Sequence, residues 1–144
     1  MKASVLKCYD DQLGNVTNIL PQGERFRGLE WVETTFSLEP RWTVDISLAS
    51  IKRVIEAIIP SQKVEVSFLS QGAFNKVYNV QAGNEALILR VSLPVDPRWK
   101  TLSEVATIAW VRCNSNLPVP KVLTYQVSRN DIIGFEWILM TKMP

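Results

Sequence analysis

A short turn between two apolar runs restricts the fold of this chain more than any other feature of its sequence. Residues 82–85, with the sequence AGNE, separate the strand-like segment 75–81 from the near-continuous apolar run 86–89. Upstream, residues 63–68 alternate apolar and polar side chains, which is the period of a half-exposed strand. Strands joined by short turns run antiparallel to one another. The middle of the chain is therefore predicted to be a three-stranded antiparallel meander.

The segment before the meander is predicted to be an irregular arm followed by one helix. Residues 46–59 place apolar side chains at helical spacing, with Asp45 or Ser47 as the N-cap residue and Pro60 as the stop. Residues 1–44 show no sustained period. We expect an N-terminal unit over residues 1–60, its arm docked through three aromatic side chains (Trp31, Phe36 and Trp42), and a second unit over residues 61–144.

A second helix and two further strands follow the meander. Two prolines between Ser92 and Lys100 predict a loop there. Thr101 and Glu104 then have the spacing of a capping box, which predicts a helix from Thr101 to about Cys113. Residues 121–127 and 135–140 are the predicted fourth and fifth strands. The fold class is accordingly α+β, a five-stranded antiparallel sheet with one helix inserted after its third strand.

Composition excludes several kinds of catalytic and metal site. The chain has 144 residues and no histidine, so its own residues cannot form a Ser-His-Asp triad, a Cys-His dyad or a His-ligated metal site. Its two cysteines, Cys8 and Cys113, are expected to be reduced thiols rather than a disulfide. Lys and Arg exceed Asp and Glu by 16 to 14, too small an excess to indicate a nucleic-acid or membrane partner.

Two features of the meander are candidates for chemistry, and each has a plain structural alternative. Residues 69–78 contain a small-residue turn at Gly72 that can present backbone N–H groups to a phosphate, or can simply be a hairpin turn. Arg90 ends the third strand, where it either emerges into water or pairs with a carboxylate. Glu104 is the expected partner, although as a capping-box residue it would be satisfied at its own helix start. The sequence leaves both pairs of alternatives open.

The order of these motifs resembles the small lobe of the protein-kinase-like fold. The chain is most similar to the aminoglycoside phosphotransferase family, in its fungal-type branch, over residues 63–144. The segments that carry the resemblance follow one another in the family's order: GAFNKVY at 72–78, LRV at 89–91, Glu104, VR at 111–112, PVP at 118–120 and WILMTKMP at 137–144.

The resemblance implies an ATP site built from the hairpin, the third strand, the helix and the last strand. Arg90 would replace the nucleotide-contacting lysine, and Glu104 would orient it. The phosphate-covering loop would be formed by Ser70, Gln71, Gly72, Ala73 and Phe74. Val77 would lie above the adenine and Met140 at the back of the adenine pocket. The linker that contacts the adenine edge would be Thr141, Lys142 and Met143. Because Arg is a planar fork and Lys a point charge, this replacement is not a neutral one.

The family's catalytic and metal-binding Asp residues belong to a second lobe that follows the linker, and this chain ends at Pro144. Its five Asp residues lie in the arm, before a helix or in turns. We therefore expect a nucleotide-binding lobe that is inactive alone, with Mg²⁺ bound only when the missing lobe is supplied. One alternative is a gene fragment without a function of its own. The other is a non-catalytic protein-binding module that docks through its lobe-facing surface, whose partly bare apolar residues would be Phe74, Ile108, Val111 and Met140.

The remaining expectations concern surroundings and surface motifs. With no signal peptide or apolar span in the sequence, we expect a cytoplasmic protein without nucleic-acid or membrane partners. The tripeptide Pro-Arg-Trp occurs at 40–42 and at 97–99. Cation–π packing or surface stapling is the expected role of both copies, in preference to recognition of nucleic acid or peptide.

Overall fold

A computed structural model describes residues 26–144. In chain order the elements are β1 (Leu29–Glu33), β2 (Leu38–Trp42), α1 (Leu48–Ile58), β3 (Val64–Gln71), β4 (Asn75–Ala82), β5 (Glu85–Ser92), α2 (Trp99–Asn114), β6 (Val122–Gln126) and β7 (Glu136–Thr141). Strands β3 to β7 form one antiparallel sheet in the order β3-β4-β5-β7-β6, and β1 and β2 form a separate hairpin. The predicted α+β class and five-stranded antiparallel sheet are confirmed. The predicted boundary between units at residue 60 stays a prediction.

The meander forms because its turns and its alternation agree. Ala82 pairs with Glu85 across a two-residue loop in which Gly83 has a φ of 59°. Glycine reaches this left-handed region without steric cost, and glycine at the first loop position is typical of a type II′ hairpin. Along β4, side chains are alternately buried and half-buried. The two faces of the sheet therefore have different neighbours.

One face of the sheet is the hydrophobic core, covered by α1 and the segment after β2. Ser47 caps α1 by accepting a hydrogen bond from the Ser50 amide at 3.3 Å, so of the two candidate caps it is Ser47 that is used. Ile51 and Ile55, one turn apart, are fully buried against the sheet. Residues on both sides of position 60 contribute to this single core.

The predicted arm contains an unpredicted hairpin. Leu29 pairs with Trp42 and Glu33 with Leu38. The Trp42 ring packs on Phe135 with centroids 5.3 Å apart, so docking through this residue is confirmed. Docking through Phe36 is wrong, because its side chain is 97% exposed at the hairpin tip. Residues 1–25 of the predicted arm, with Cys8, lie outside the described residues.

The capping box predicted at Thr101 is wrong. Helix α2 begins at Trp99, after Arg98, and the Thr101 and Glu104 side chains make no cap bond. The buried Glu136 carboxylate of β7 instead accepts hydrogen bonds from the Arg98 amide and the Thr101 hydroxyl. A carboxylate at a helix N-terminus satisfies orphan donors and complements the helix dipole. Because Glu136 of β7 supplies the cap of α2, Glu104 is left for other partners.

Among residues 26–144, neither helix is both long and apolar enough to span a membrane.

Candidate functional site

The face of the sheet opposite the core carries the polar side chains of β4 and β5. The register sets Asn75 beside Ser92 and Val77 beside Arg90. On the other side of β5, Arg90 is paired with Ile138 of β7. Helix α2 lies against this face at β7, where Thr101 bonds Glu136. The sheet and the first two turns of α2 therefore enclose a strip of polar groups.

Arg90 and Glu104 form an ion pair across this strip. The Arg90 Nη2 group donates to Glu104 Oε2, and the two side chains are 25% and 27% exposed. The sequence left two alternatives for each residue, and the structure contains the ion pair. Arg90 does not simply enter water, and Glu104 does not cap its own helix. The pair joins the third strand of the sheet to the inserted helix.

Lys100 is a third member of the strip that sequence reasoning missed. Its ammonium donates to Glu104 Oε1 at 3.1 Å and to Asn75 Oδ1 at 3.0 Å, and it lies 3.5 Å from Ser92 Oγ. The signal available in the sequence was the i, i+4 spacing of Lys100 and Glu104. That signal was lost because residues 92–100 were predicted to be a loop, whereas Lys100 belongs to the first turn of α2.

We call these five residues the Arg90 cluster: Asn75, Arg90, Ser92, Lys100 and Glu104. Two cations share one carboxylate, so the cluster carries a net positive charge. Its geometry is incomplete at one atom, because Arg90 Nε is buried and has no hydrogen-bond partner among the described residues. A buried donor without a partner costs about 1–3 kcal/mol. This donor therefore lowers the stability of the fold rather than adding to it.

The hairpin tip lies directly next to this cluster in the chain. The Gly72 amide donates to the Asn75 carbonyl at 2.9 Å, which leaves Ala73 and Phe74 at the tip. Ser70 and Gln71, predicted to be loop residues, belong to β3, which bulges between Phe68 and Ser70. The phosphate-covering loop of the prediction is thus shorter than expected.

Gly72 is not required by the turn. It does not have a positive φ, and a Cβ placed on it would meet no atom of residues 26–144 within 4 Å. Among these residues, glycine here therefore serves neither a strained backbone nor a close contact. Open space beside a hairpin amide is what a ligand phosphate needs to approach the backbone closely.

The predicted linker is largely tied into the sheet. Thr141 N–H donates to the Lys121 carbonyl at 2.9 Å, and Lys142 N–H donates to the Ala86 carbonyl at 3.1 Å. The Lys142 ammonium donates to Asn79 Oδ1 at 2.9 Å. Met143 follows, 38% exposed, and its backbone makes no hydrogen bond within residues 26–144. Of the three linker amides, that of Met143 is the one open to a ligand.

The apolar surface expected to dock a partner is only partly present. Phe74 is 44% exposed, and Ile108 and Val111 are half-buried. Met140 is buried in β7, so its expected exposure is wrong. A groove of about 420 Å³ runs between the second half of α2 and β6, and Ile108 lines it. This groove contains none of the residues of the Arg90 cluster.

Two of the three Asp residues of the described region, Asp45 and Asp131, serve the fold. Asp131 accepts from the Ile133 and Gly134 amides at 3.0 Å and from the Trp137 indole at 2.8 Å. Asp45 pairs with the buried Lys76 at 2.8 Å. Within residues 26–144 no three His, Cys, Asp or Glu side chains are grouped as metal ligands would be.

The two Pro-Arg-Trp copies differ in their contacts. In the second copy, Arg98 lies over the Trp99 ring at 5.6 Å, as expected. In the first copy, the cation over Trp42 is not Arg41 but Lys76, at 5.0 Å. Cys113 is exposed and carries a free thiol.

Lys76 fastens the chain after β2 to the sheet, and this contact gives a pH-dependent prediction. Its ammonium also donates to the Val44 carbonyl at 2.9 Å, and the hydrogen bond and charge of Lys76 hold the pKa of Asp45 below its ordinary value of 3.8. Stability linked to a lowered carboxyl pKa is present above the unfolded value and is lost as the pH falls through the folded value. Asp45→Asn should therefore lower the melting temperature at pH 7 but not at pH 2.

Melting curves of both proteins across pH 2–7 check this expectation. Asp96→Asn, which neutralises an exposed loop carboxylate, is the control and should change neither end of the profile. An Asp45→Asn deficit that is equal at pH 2 and pH 7 would contradict the ionic role of Asp45.

No family model matches this chain. A subtelomeric hrmA-associated cluster protein of Aspergillus fumigatus is 35% identical to it over 82 residues, which are 55% of this chain and 16% of that protein. Altered inheritance of mitochondria protein 9, mitochondrial, of Saccharomyces cerevisiae is 31% identical over 105 residues, which are 67% of this chain and 17% of that protein. The chain spans less than a fifth of the length of the curated relatives that it matches.

Proposed function

We propose that residues 63–144 are an ATP-binding small lobe of the aminoglycoside-phosphotransferase-like kind. The observation that carries the proposal is the Arg90–Glu104 ion pair between the third strand and the inserted helix. In a phosphoryl-transfer lobe, a cation on the third strand contacts the nucleotide phosphates, and a helix Glu orients that cation. A partly exposed ion pair contributes little to stability, about 0–1 kcal/mol, so its placement is better explained by a ligand.

Four further features support a nucleotide ligand at this face. The Arg90 cluster carries a net positive charge, and a polyphosphate is strongly negative. The Gly72 hairpin beside it has open space next to its backbone. Val77 is the register partner of Arg90 and is half-buried on the same face, where it can contact the adenine ring. Met143 is the linker residue with a backbone amide left for the adenine edge.

Mg²⁺ is expected to add nothing to ATP binding by this chain alone. Glu104 is the carboxylate of the cluster, and its two oxygens are already paired with Arg90 and Lys100. Mg²⁺ is bound in proteins through carboxylates together with substrate phosphates. The metal ligands, and phosphoryl transfer itself, would come from a second lobe.

The test of the proposal is a calorimetric titration of the purified chain with ATP, with and without Mg²⁺. Saturable binding of similar strength in both conditions is the expected result. A folded chain that shows no saturable heat of binding with ATP under either condition would overturn the proposal.

Substitution of Gly72 separates a ligand role from a structural one. Gly72→Ala should leave stability unchanged or raise it by up to about 1 kcal/mol, since the added methyl meets open space and restricts the unfolded chain. The same methyl should weaken ATP binding by about tenfold, equivalent to about 1.4 kcal/mol, because it occupies the space beside the hairpin amide.

The matched control is Gly83→Ala, in the hairpin at the other end of β4. Here φ is 59° and a Cβ would lie 2.0 Å from Gln62 Oε1. This variant should lose stability, by about 1 kcal/mol or more, and keep its ATP affinity. If Gly72→Ala binds ATP as tightly as the unaltered protein, the phosphate does not approach this hairpin.

A protein-binding module is the second candidate function. The observation in its favour is the groove between α2 and β6, lined mainly by apolar side chains such as Val105, Ile108 and Leu123. Apolar grooves with few polar groups are typical of binding sites. Sedimentation and pull-down experiments that compare the unaltered chain with Ile108→Asp test it; a complex unaffected by the substitution would exclude this groove.

The cytoplasmic location also stays a proposal. One of the relatives is named as a mitochondrial protein. Imaging of the tagged full chain distinguishes the two compartments.

A further inference from the structure

Lys100 connects three elements of the candidate site through one ammonium group. It contacts Asn75 at the start of β4, Ser92 at the end of β5 and Glu104 one turn further along α2. Asn75 is also the residue whose carbonyl closes the Gly72 hairpin. A phosphate held by that hairpin would therefore meet the Lys100 ammonium as well as the Arg90 guanidinium.

The Glu104 carboxylate is divided between its two cations in a way that leaves a donor unused. One oxygen accepts from Lys100 and the other from Arg90 Nη2, while Arg90 Nε is buried without a partner in the described part of the chain. Arg–carboxylate pairs commonly form two parallel N–H···O bonds. Here the second of these bonds is missing, and Glu104 Oε1, the oxygen that Arg90 Nη2 does not use, accepts from Lys100.

From this arrangement we infer that Lys100 is a phosphate-contacting residue that exchanges Glu104 for the ligand. When a polyphosphate binds, the ammonium moves its hydrogen bond from Glu104 Oε1 to a phosphate oxygen. The released carboxylate then accepts from both Nε and Nη2 of Arg90, which satisfies the orphan donor and fixes the guanidinium. The inference rests on the proposed function, because it assigns the phosphate end of the same site.

The exchange also explains how arginine serves at a position where the family has lysine. Arg90 has five N–H donors, so it can hold Glu104 with two and still present others to a phosphate. Lys100 supplies the compact ammonium charge that Arg90 lacks. The site then has two phosphate-contacting cations.

The test compares ligands with different numbers of phosphates on the full chain. Lys100→Met should weaken binding of ATP by about tenfold or more, weaken ADP binding less, and leave adenosine binding unchanged. Lys63→Met removes the same charge from an exposed position on the edge of the sheet and should change none of the three. A loss of equal size for ATP and adenosine, or no loss, would overturn the inference.

Inorganic tripolyphosphate separates failure of this inference from failure of the proposed function. If ATP does not bind but tripolyphosphate binds and is weakened by Lys100→Met, the anion role of Lys100 stands and the nucleotide function falls. If ATP binds and Lys100→Met has no phosphate-dependent effect, the nucleotide function stands and the anion role of Lys100 falls. If neither ligand binds the folded chain, both fall.

A second variant and a spectroscopic signal guard against a folding defect. Lys100→Gln can keep the bond to Asn75 while it removes the charge, and circular dichroism monitors the fold of both variants.

In the unaltered protein, the NMR signal of the Arg90 Nε–H group should shift downfield on addition of ATP as it gains a carboxylate partner. An Nε–H signal that does not move when ATP saturates the chain would contradict the exchange.

Discussion

Arg90→Ala should reduce ATP affinity by about 10- to 100-fold, equivalent to the about 1.5–3 kcal/mol of a charge-assisted hydrogen bond. The substitution removes the guanidinium from the centre of the Arg90 cluster. Glu104 keeps Lys100 as a partner 3.1 Å away, so no unpaired carboxylate is left behind. The fold should therefore tolerate the change. The measurement is calorimetric titration of both proteins with ATP at the same salt concentration.

Two further variants show whether the loss is specific. Arg90→Lys restores a positive charge without the planar fork and should give an intermediate affinity. Arg53→Ala, on the exposed side of α1, should bind ATP like the unaltered protein. If Arg90→Ala binds ATP with unchanged affinity, the ion pair is structural and the proposed site is wrong.

Ile55→Ala should destabilise the fold by about 2–5 kcal/mol. Ile55 lies on α1, has no exposed side-chain surface and belongs to the same core as the sheet. Removal of its side chain beyond Cβ leaves a cavity between helix and sheet. Urea unfolding followed by circular dichroism measures the loss.

The matched control is Ile58→Ala on the same helix. Ile58 is 40% exposed, so the same chemical change removes less buried surface and should cost about 1 kcal/mol or less. Equal losses for the two variants would mean that α1 does not pack on the sheet as described. A small loss for Ile55→Ala would indicate that the helix is a separable arm.

The strands and α1 could be predicted because their local patterns agree with their surroundings. In β3 the alternation of apolar and polar residues over 64–67 matches a sheet with a core on one face. In α1 the serine before the first turn and the proline after the last mark its ends. These signals depend only on neighbours in sequence.

The β1–β2 hairpin and the start of α2 could not be predicted in this way. Pro40 and the irregular apolar spacing hid β2, which is stabilised by packing of Trp42 on a distant ring. The Thr101 hydroxyl lies at capping-box spacing but bonds Glu136, 35 residues further along the chain. In both places a tertiary contact supplies what a local motif would otherwise supply.

The candidate site was partly readable from the sequence. The sequence predicts Arg90 and Glu104 as partners, with alternatives that only the packing of α2 on the sheet decides. Lys100 was missed because its role depends on the register that sets Asn75 beside Ser92. A cluster of groups from two strands and a helix has no signature at short spacing.

The measurement that tests the central claim most directly is an NMR titration of the isotope-labelled full chain with ATP. The account predicts that shift changes concentrate in the hairpin at 70–77, in the Arg90 cluster and around Met143. Shifts that cluster instead along the α2–β6 groove, or no shifts at saturating ATP, would contradict it.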